Sequence, residues 1–149
     1  MTEALTDTHR RARLRGRESV ARWRIAGATW VGWFYAANGL LSVIAGALGL
    51  GFGVRGGPGL MLWAAGFSAA MAWGIHRMRK GSLPSAVAVT AIAALDLLGR
   101  WPPSLLAIAI VGVLANGAYG VYSLRGVRRD AAELPPAPEP RARFGRAFG

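Results

Sequence analysis

The run LPSAVAVTAIAALDLLG, residues 83–99, carries one charge, Asp96, in a stretch that otherwise reads as lipid-soluble. A helix needs about 17–25 apolar residues to cross ~30 Å of hydrocarbon, and this block reaches the lower limit. Three more blocks of the same character lie at 28–52, 59–75 and 103–124. Water is absent at that depth, so an open strand would leave its peptide groups unpaired, and the blocks are expected to be helices. The sequence therefore predicts an all-α integral membrane protein, a bundle of four transmembrane helices.

Composition agrees once the charges are located. The chain has 149 residues, is 53% hydrophobic and has a formal net charge of +11. In a soluble domain those values would conflict; here the charges lie between the apolar blocks. A strongly basic balance also suits nucleic acid, but these arginines flank apolar spans, so no nucleic-acid partner is expected. The absence of cysteine excludes disulfide and thiol chemistry. Richness in Ala, Gly and Arg, with Lys80 the single lysine, points to a high-GC bacterial genome. The small residues at 45–47 resemble a signal-peptidase site, yet the apolar region before them, Ile25 to Ile44, exceeds the usual ~7–15 residues, so no cleavage is expected.

Basic residues set the expected orientation. Arg10, Arg11, Arg13, Arg15, Arg17, Arg22 and Arg24 precede the first span. Arg77, Arg79 and Lys80 fill the middle loop, and Arg125, Arg128, Arg129, Arg141, Arg143 and Arg146 follow the last span. The other two connections hold only Arg55 and Arg100. By the positive-inside rule both termini and the middle loop are cytoplasmic, in the plasma membrane of a bacterium. Trp23, Trp30, Trp33, Trp73, Tyr119 and Tyr122 fall at the expected inner boundary, and Trp63 and Trp101 near the outer one.

The ends differ from the spans. Residues 1–27 form a basic arm, expected to be helical and to lie near the membrane surface. Arg10, Arg11, Arg13, Arg15 and Arg17 would there attract anionic lipids, at about 1 kcal/mol per cation close to the surface. Residues 125–149 form a basic tail, which turns Pro-rich and is expected to be disordered. The domain between, 28–124, holds the four spans.

Apolar helices in lipid associate through small residues. Such residues recur every fourth position: Ser42/Gly46, Ala45/Gly49/Gly53, Gly66/Ala70/Gly74, Ala86/Thr90/Ala94 and Gly112/Asn116/Gly120. The tripeptide ANG occurs at 37–39 and 115–117, and counting from Trp33 and Tyr122 puts Asn38 and Asn116 at one depth, where their amides are expected to bond. Asp96 stands four residues before Arg100 near the outer boundary, which suits an interfacial ion pair more than a translocation group.

Gly51, Gly53 and Gly56 match a dinucleotide-binding glycine pattern, but no strand precedes them, and an outer turn is expected instead. The two histidines, His9 and His76, lie outside the spans, so a bis-histidine haem in the bundle is excluded. No acid, Cys/His or Ser/His/Asp set supports catalysis, a metal or a cofactor. The expected function is a non-catalytic accessory or structural membrane protein, with a membrane-protein partner or a second copy of itself. A small transporter or channel comes second, since it needs an embedded polar path, and a holin-like lesion protein comes third.

Overall fold

Residues 2–47 contain no proline, and the i,i+4 pair Glu18/Arg22 stiffens the basic stretch, with Arg22 Nε and Nη2 donating to Glu18 Oε1 at 3.0 and 2.6 Å. That segment is one helix. The computed structural model describes residues 2–50, 57–99, 102 and 104–135. Among them it is all-helical: α1 (Thr2–Ala47), α2 (Pro58–Arg79), α3 (Leu83–Gly99) and α4 (Leu105–Ala132). Three of these helices contain windows long and apolar enough to cross a membrane; α3, with 17 residues, is apolar but shorter.

The ends of the helices follow local chemistry. After α1, Gly49 takes φ +68°, Leu50 N donates to Ala45 O at 2.9 Å and Gly49 N to Gly46 O at 3.1 Å. After α2, Gly81 takes φ +85°, with Ser82 N on Arg77 O and Gly81 N on Met78 O. Both are Schellman caps, which need the left-handed conformation that glycine adopts without strain. Pro58 opens α2, and Ser104 Oγ caps α4 by accepting from Ala107 N at 3.2 Å. The glycine pattern at 51–56, Arg100, Trp101, Pro103 and the tail from 136 lie outside the described residues.

The helices form a ring in which α1 packs on α2 and α4, and α3 packs on the same two. The α1–α4 contact is the most extensive. Its seam alternates three- and four-residue steps: Ala21, Ile25, Ala28 and Gly32 on α1 against Leu114, Gly117, Val121 and Leu124 on α4, all buried. That is the spacing of a two-helix coiled coil. Ala28 sits directly on Gly117, where a Cβ would overlap its methyl group. The pairing continues past the end of α2 through half-buried Leu14 and Glu18, and Arg11 Nη2 donates to Pro135 O at 2.6 Å.

The basic arm is helical and continuous with the first apolar block: it is the first half of α1 and stands out from the bundle as a stalk with the end of α4. The packing positions differ from the four-residue ridges. Of the ridge glycines, Gly112 and Gly66 have nothing within 4 Å of a notional Cβ, while Gly120 meets α1 and Gly74 meets Val89; Gly117, which lies off the ridges, makes the closest approach to α1. Contact between these helices follows the alternating seam, which a strict four-residue repeat leaves after two turns.

The core is lopsided. Met71, Ile75, Met78, Val89, Leu114 and Val121 are fully buried, and all lie toward the end that carries the α2–α3 loop and the stalk, here the basic end. Arg125 Nη2 reaches from α4 to Gly81 O at 3.3 Å and ties that loop down.

Gly117→Ala should lower the thermal midpoint in mild detergent, at a cost of about 1–3 kcal/mol for overpacking. Gly112→Ala should be neutral or gain up to about 1 kcal/mol from helix propensity. Equal responses at the two positions would contradict the close α1–α4 approach.

Candidate functional site

Away from the basic end, α2 and α3 hold each other least extensively of the neighbouring pairs, and a cleft of about 830 Å³ lies among α1, α2 and α3. Tyr35, Asn38 and Ser42 line it from α1, Trp63, Phe67 and Ser68 from α2, and Ile92, Leu95 and Asp96 from α3. Ala36 and Met71, both buried, also border it.

Asp96 is the one acid in this lining. Tyr35 Oη donates to Asp96 Oδ2, linking α1 to α3 across the ring. The packing of α3 on α2 sets the level of Asp96 relative to α2. Gly74 of α2 lies against Val89 of α3. At ~1.5 Å per residue, Asp96 is then level with Phe67, about 13 Å from the start of α2. Helical Cα–Cβ bonds also tilt toward the helix N-terminus, which lowers the carboxyl further and brings it within reach of the phenol. The expected partner Arg100 lies outside the described residues.

The hydroxyls beside it bond locally. Ser42 Oγ donates to Asn38 O at 2.9 Å and Ser68 Oγ to Ala64 O at 3.0 Å. Each proton returns to the carbonyl four residues back, a common solution for hydroxyls in helices, so these oxygens present lone pairs to the cleft. Thr90 Oγ1 likewise bonds Ala86 O at 2.9 Å and is not in the lining.

The two asparagines do not meet. With Ala28 opposite Gly117 in antiparallel register, Asn38 stands level with Ala107, about 13 Å from Asn116 along the axis. Both side chains are exposed, Asn38 toward the cleft and Asn116 one residue off the seam. The depth estimate failed because Trp33 was taken as the edge of the first span. The register matches Trp23, not Trp33, with Tyr122. Arg24 lies over the Tyr119 ring at 5.0 Å and Arg77 over the Trp73 ring at 5.3 Å, pairing cations with the aromatic groups of the basic end.

Arg10, Arg11, Arg13, Arg15 and Arg17 all lie on the stalk. Arg10, Arg13 and Arg17 face Asp130 of α4, and Glu133 and Leu134 just after it, across a small groove. Among the described residues, no three His, Cys, Asp or Glu side chains converge as a metal site.

Tyr35 is the site residue that sequence reasoning missed. Its signal was present: Trp23, Tyr119 and Tyr122 suit a boundary, but a tyrosine ten residues inside that boundary needs a partner for its hydroxyl, and Asp96 is the one acid in any span.

Tyr35→Phe and Asp96→Asn should each lower bundle stability, with a double-mutant coupling of about 0.6–1.7 kcal/mol, the range of bonds between membrane helices. Strictly additive losses would mean that the bond contributes nothing. No protein-family model, curated protein or solved structure matches the chain.

Proposed function

We propose that this chain is a non-catalytic multi-pass protein of the bacterial plasma membrane, with four spans and both termini cytoplasmic, that binds a small solute in a cleft open to the outside. It acts as a transporter or channel component, working as an oligomer. The observation that carries this reading is the Tyr35–Asp96 bond inside the cleft. Ionisable groups within spans are expensive and mark solute or ion pathways by default. Asp96 is not alone, since Tyr35, Asn38, Ser42 and Ser68 border the same space. The buried core at the basic end gives the cleft a closed floor.

The orientation follows from the cations. Arg24, Arg77, Arg79 and Lys80 gather with Trp23, Trp73, Tyr119 and Tyr122 at one end, as expected of a cytoplasmic headgroup boundary. From Arg24 back to Arg10 the helix climbs about 21 Å, beyond the ~8 Å over which surface charge is felt. Anionic-lipid contact therefore falls to Arg24, Arg79 and Lys80 more than to the stalk arginines. The stalk supports a second reading, an accessory subunit: a helix pair outside the membrane offers a membrane-protein partner a docking element.

Phosphatidylglycerol should raise the thermal midpoint of the protein in detergent. Arg24→Gln/Arg79→Gln/Lys80→Gln should remove that shift, whereas Gln at 10, 11, 13, 15 and 17 should keep it. The opposite pattern would return lipid binding to the arm.

The absence of cysteine makes labelling clean. In intact cells Ser42→Cys should react with a membrane-impermeant maleimide added outside, and Gly81→Cys only after permeabilisation. In proteoliposomes, wild type should carry an ion- or pH-driven flux that Asp96→Asn abolishes without loss of expression. Labelling of Gly81→Cys from outside would reverse the topology. Open labelling with no flux across a panel of cations, anions and neutral solutes would favour the accessory reading.

A further inference from the structure

We propose that two copies of this chain pair side by side in the bilayer through the outer face of α4, with their Asn116 amides bonded to each other across a two-fold axis. This rests on the four-span, oligomeric reading above and names the interface.

The observation that carries it is Asn116. It stands eleven residues after Leu105, where α4 begins, and nine before Arg125, about 16 Å and 13 Å at ~1.5 Å per residue. Its side chain is exposed on the outside of the ring and makes no hydrogen bond with any described residue. Hydrocarbon neither donates nor accepts, so an amide left there is costly, and a side chain this short does not reach headgroups so far away. Asn38, the other asparagine, borders the cleft and has open space beside it; Asn116 faces the bilayer. An amide carries two N–H donors and a carbonyl acceptor, and is therefore its own complement. Two copies of one topology place Asn116 at the same depth and run α4 in parallel, with the axis along the membrane normal. The interface is then the same patch on both copies, as two-fold pairing requires.

The residues around Asn116 fit a second α4. Ala109, Gly112, Asn116, Tyr119, Ser123 and Gly126 alternate three- and four-residue steps, a second stripe about 150° round α4 from the one that packs on α1. All are exposed except Ser123, which is half-buried. That is coiled-coil spacing, in which a single asparagine on the seam fixes the register and the number of helices. Gly112, one turn from the amide, has nothing within 4 Å of a notional Cβ. Glycine within a helix lowers stability relative to alanine, and nothing within the chain repays that at Gly112. A second helix approaching closely does, since small residues let helix backbones meet in lipid.

The test uses the full-length chain in phosphatidylcholine/phosphatidylglycerol vesicles. Copies labelled at the amino terminus with donor or acceptor dye report pairing by energy transfer, and dilution with lipid gives the dissociation constant. Asn116→Leu should raise it about 3–20-fold, the range of an amide bond between membrane helices, and Asn116→Gln should raise it less. Gly112→Leu should raise it about tenfold or more. Thermal midpoints at dilutions where every variant is monomeric should match wild type, which shows that each still folds. Since the chain has no cysteine, single Ala109→Cys and Gly112→Cys should form disulfide dimers on mild oxidation. Val87→Cys, exposed on α3, should not. Energy transfer indifferent to the substitutions at 112 and 116, or cross-linking through Val87→Cys in place of the α4 positions, would overturn this interface and leave an oligomer built on another face. No transfer at any dilution, in vesicles that keep the chain through a carbonate wash, would overturn the interface and the oligomer but leave the spans. Extraction of the chain by carbonate would remove the spans and the proposal with them.

Discussion

The approach of Ala28 to Gly117 is the contact on which the rest of the bundle depends. A side chain at either residue larger than the one present would push α1 and α4 apart. In lipid such contacts matter more than apolar character, because the solvent is as apolar as the helices and association draws on packing instead. Once those residues fix the register, Gly32 faces Leu114 and Ile75, and Gly120 faces Ala21 and Ile25. The same register carries the N-terminal half of α1 past the loop of α2 and α3. Leu14 and Leu134, half-buried, continue the line there.

This order of packing explains the asymmetry of the ring. Long side chains, Met71, Ile75, Met78 and Val89, fill the space between the tight α1–α4 pair and the α2–α3 hairpin at the basic end. Farther along, small and polar residues, Gly39, Ser42, Ala64 and Ser68, share the lining with Tyr35, Trp63 and Phe67, and a cleft stays open among them. The polar groups and the open space thus occur together for one reason. A close-packed apolar interior has no use for hydroxyls and amides, while a cleft that admits water or a solute solvates them.

Much of this was legible in the sequence. Four apolar blocks, their approximate limits and the gathering of basic residues between them follow from counting, and α3 begins and ends where its block does. The length of α1 was also readable, since residues 11, 14, 18, 21, 25, 28 and 32 alternate three- and four-residue steps. The repeat is masked because Arg11, Glu18, alanines and a glycine share the seam with Leu14 and Ile25, so hydropathy does not mark it along its length. Depth was less readable. Trp23, Trp30 and Trp33 spread over nearly three turns, and only the register with α4 shows which of them matches Tyr122. That error of nearly three turns misplaced Asn38 relative to Asn116. The meeting of Tyr35 with Asp96 lies 61 positions apart in the chain and depends on how far α3 stands from α1, which no local pattern encodes.

The position of Asp96 then has a physical rationale that joins these points. A carboxylate on the lipid face of a span would have to stay charged in hydrocarbon or give up its charge, and both are costly. On the cleft face it meets a phenol donor and a space large enough for water. Placing it on α3, the shortest helix at 17 residues, keeps it close to the open end, while the tilt of the side chain carries its oxygen inward to Tyr35. The helix holding the acid is thus anchored at its start by Val89 against Gly74 and at its end by the acid itself. A group that binds α3 to α1 and also lines the cleft couples occupancy of that space to the separation of the two helices. Anything that competes with the phenol for Asp96 acts on the structure as well as on the charge.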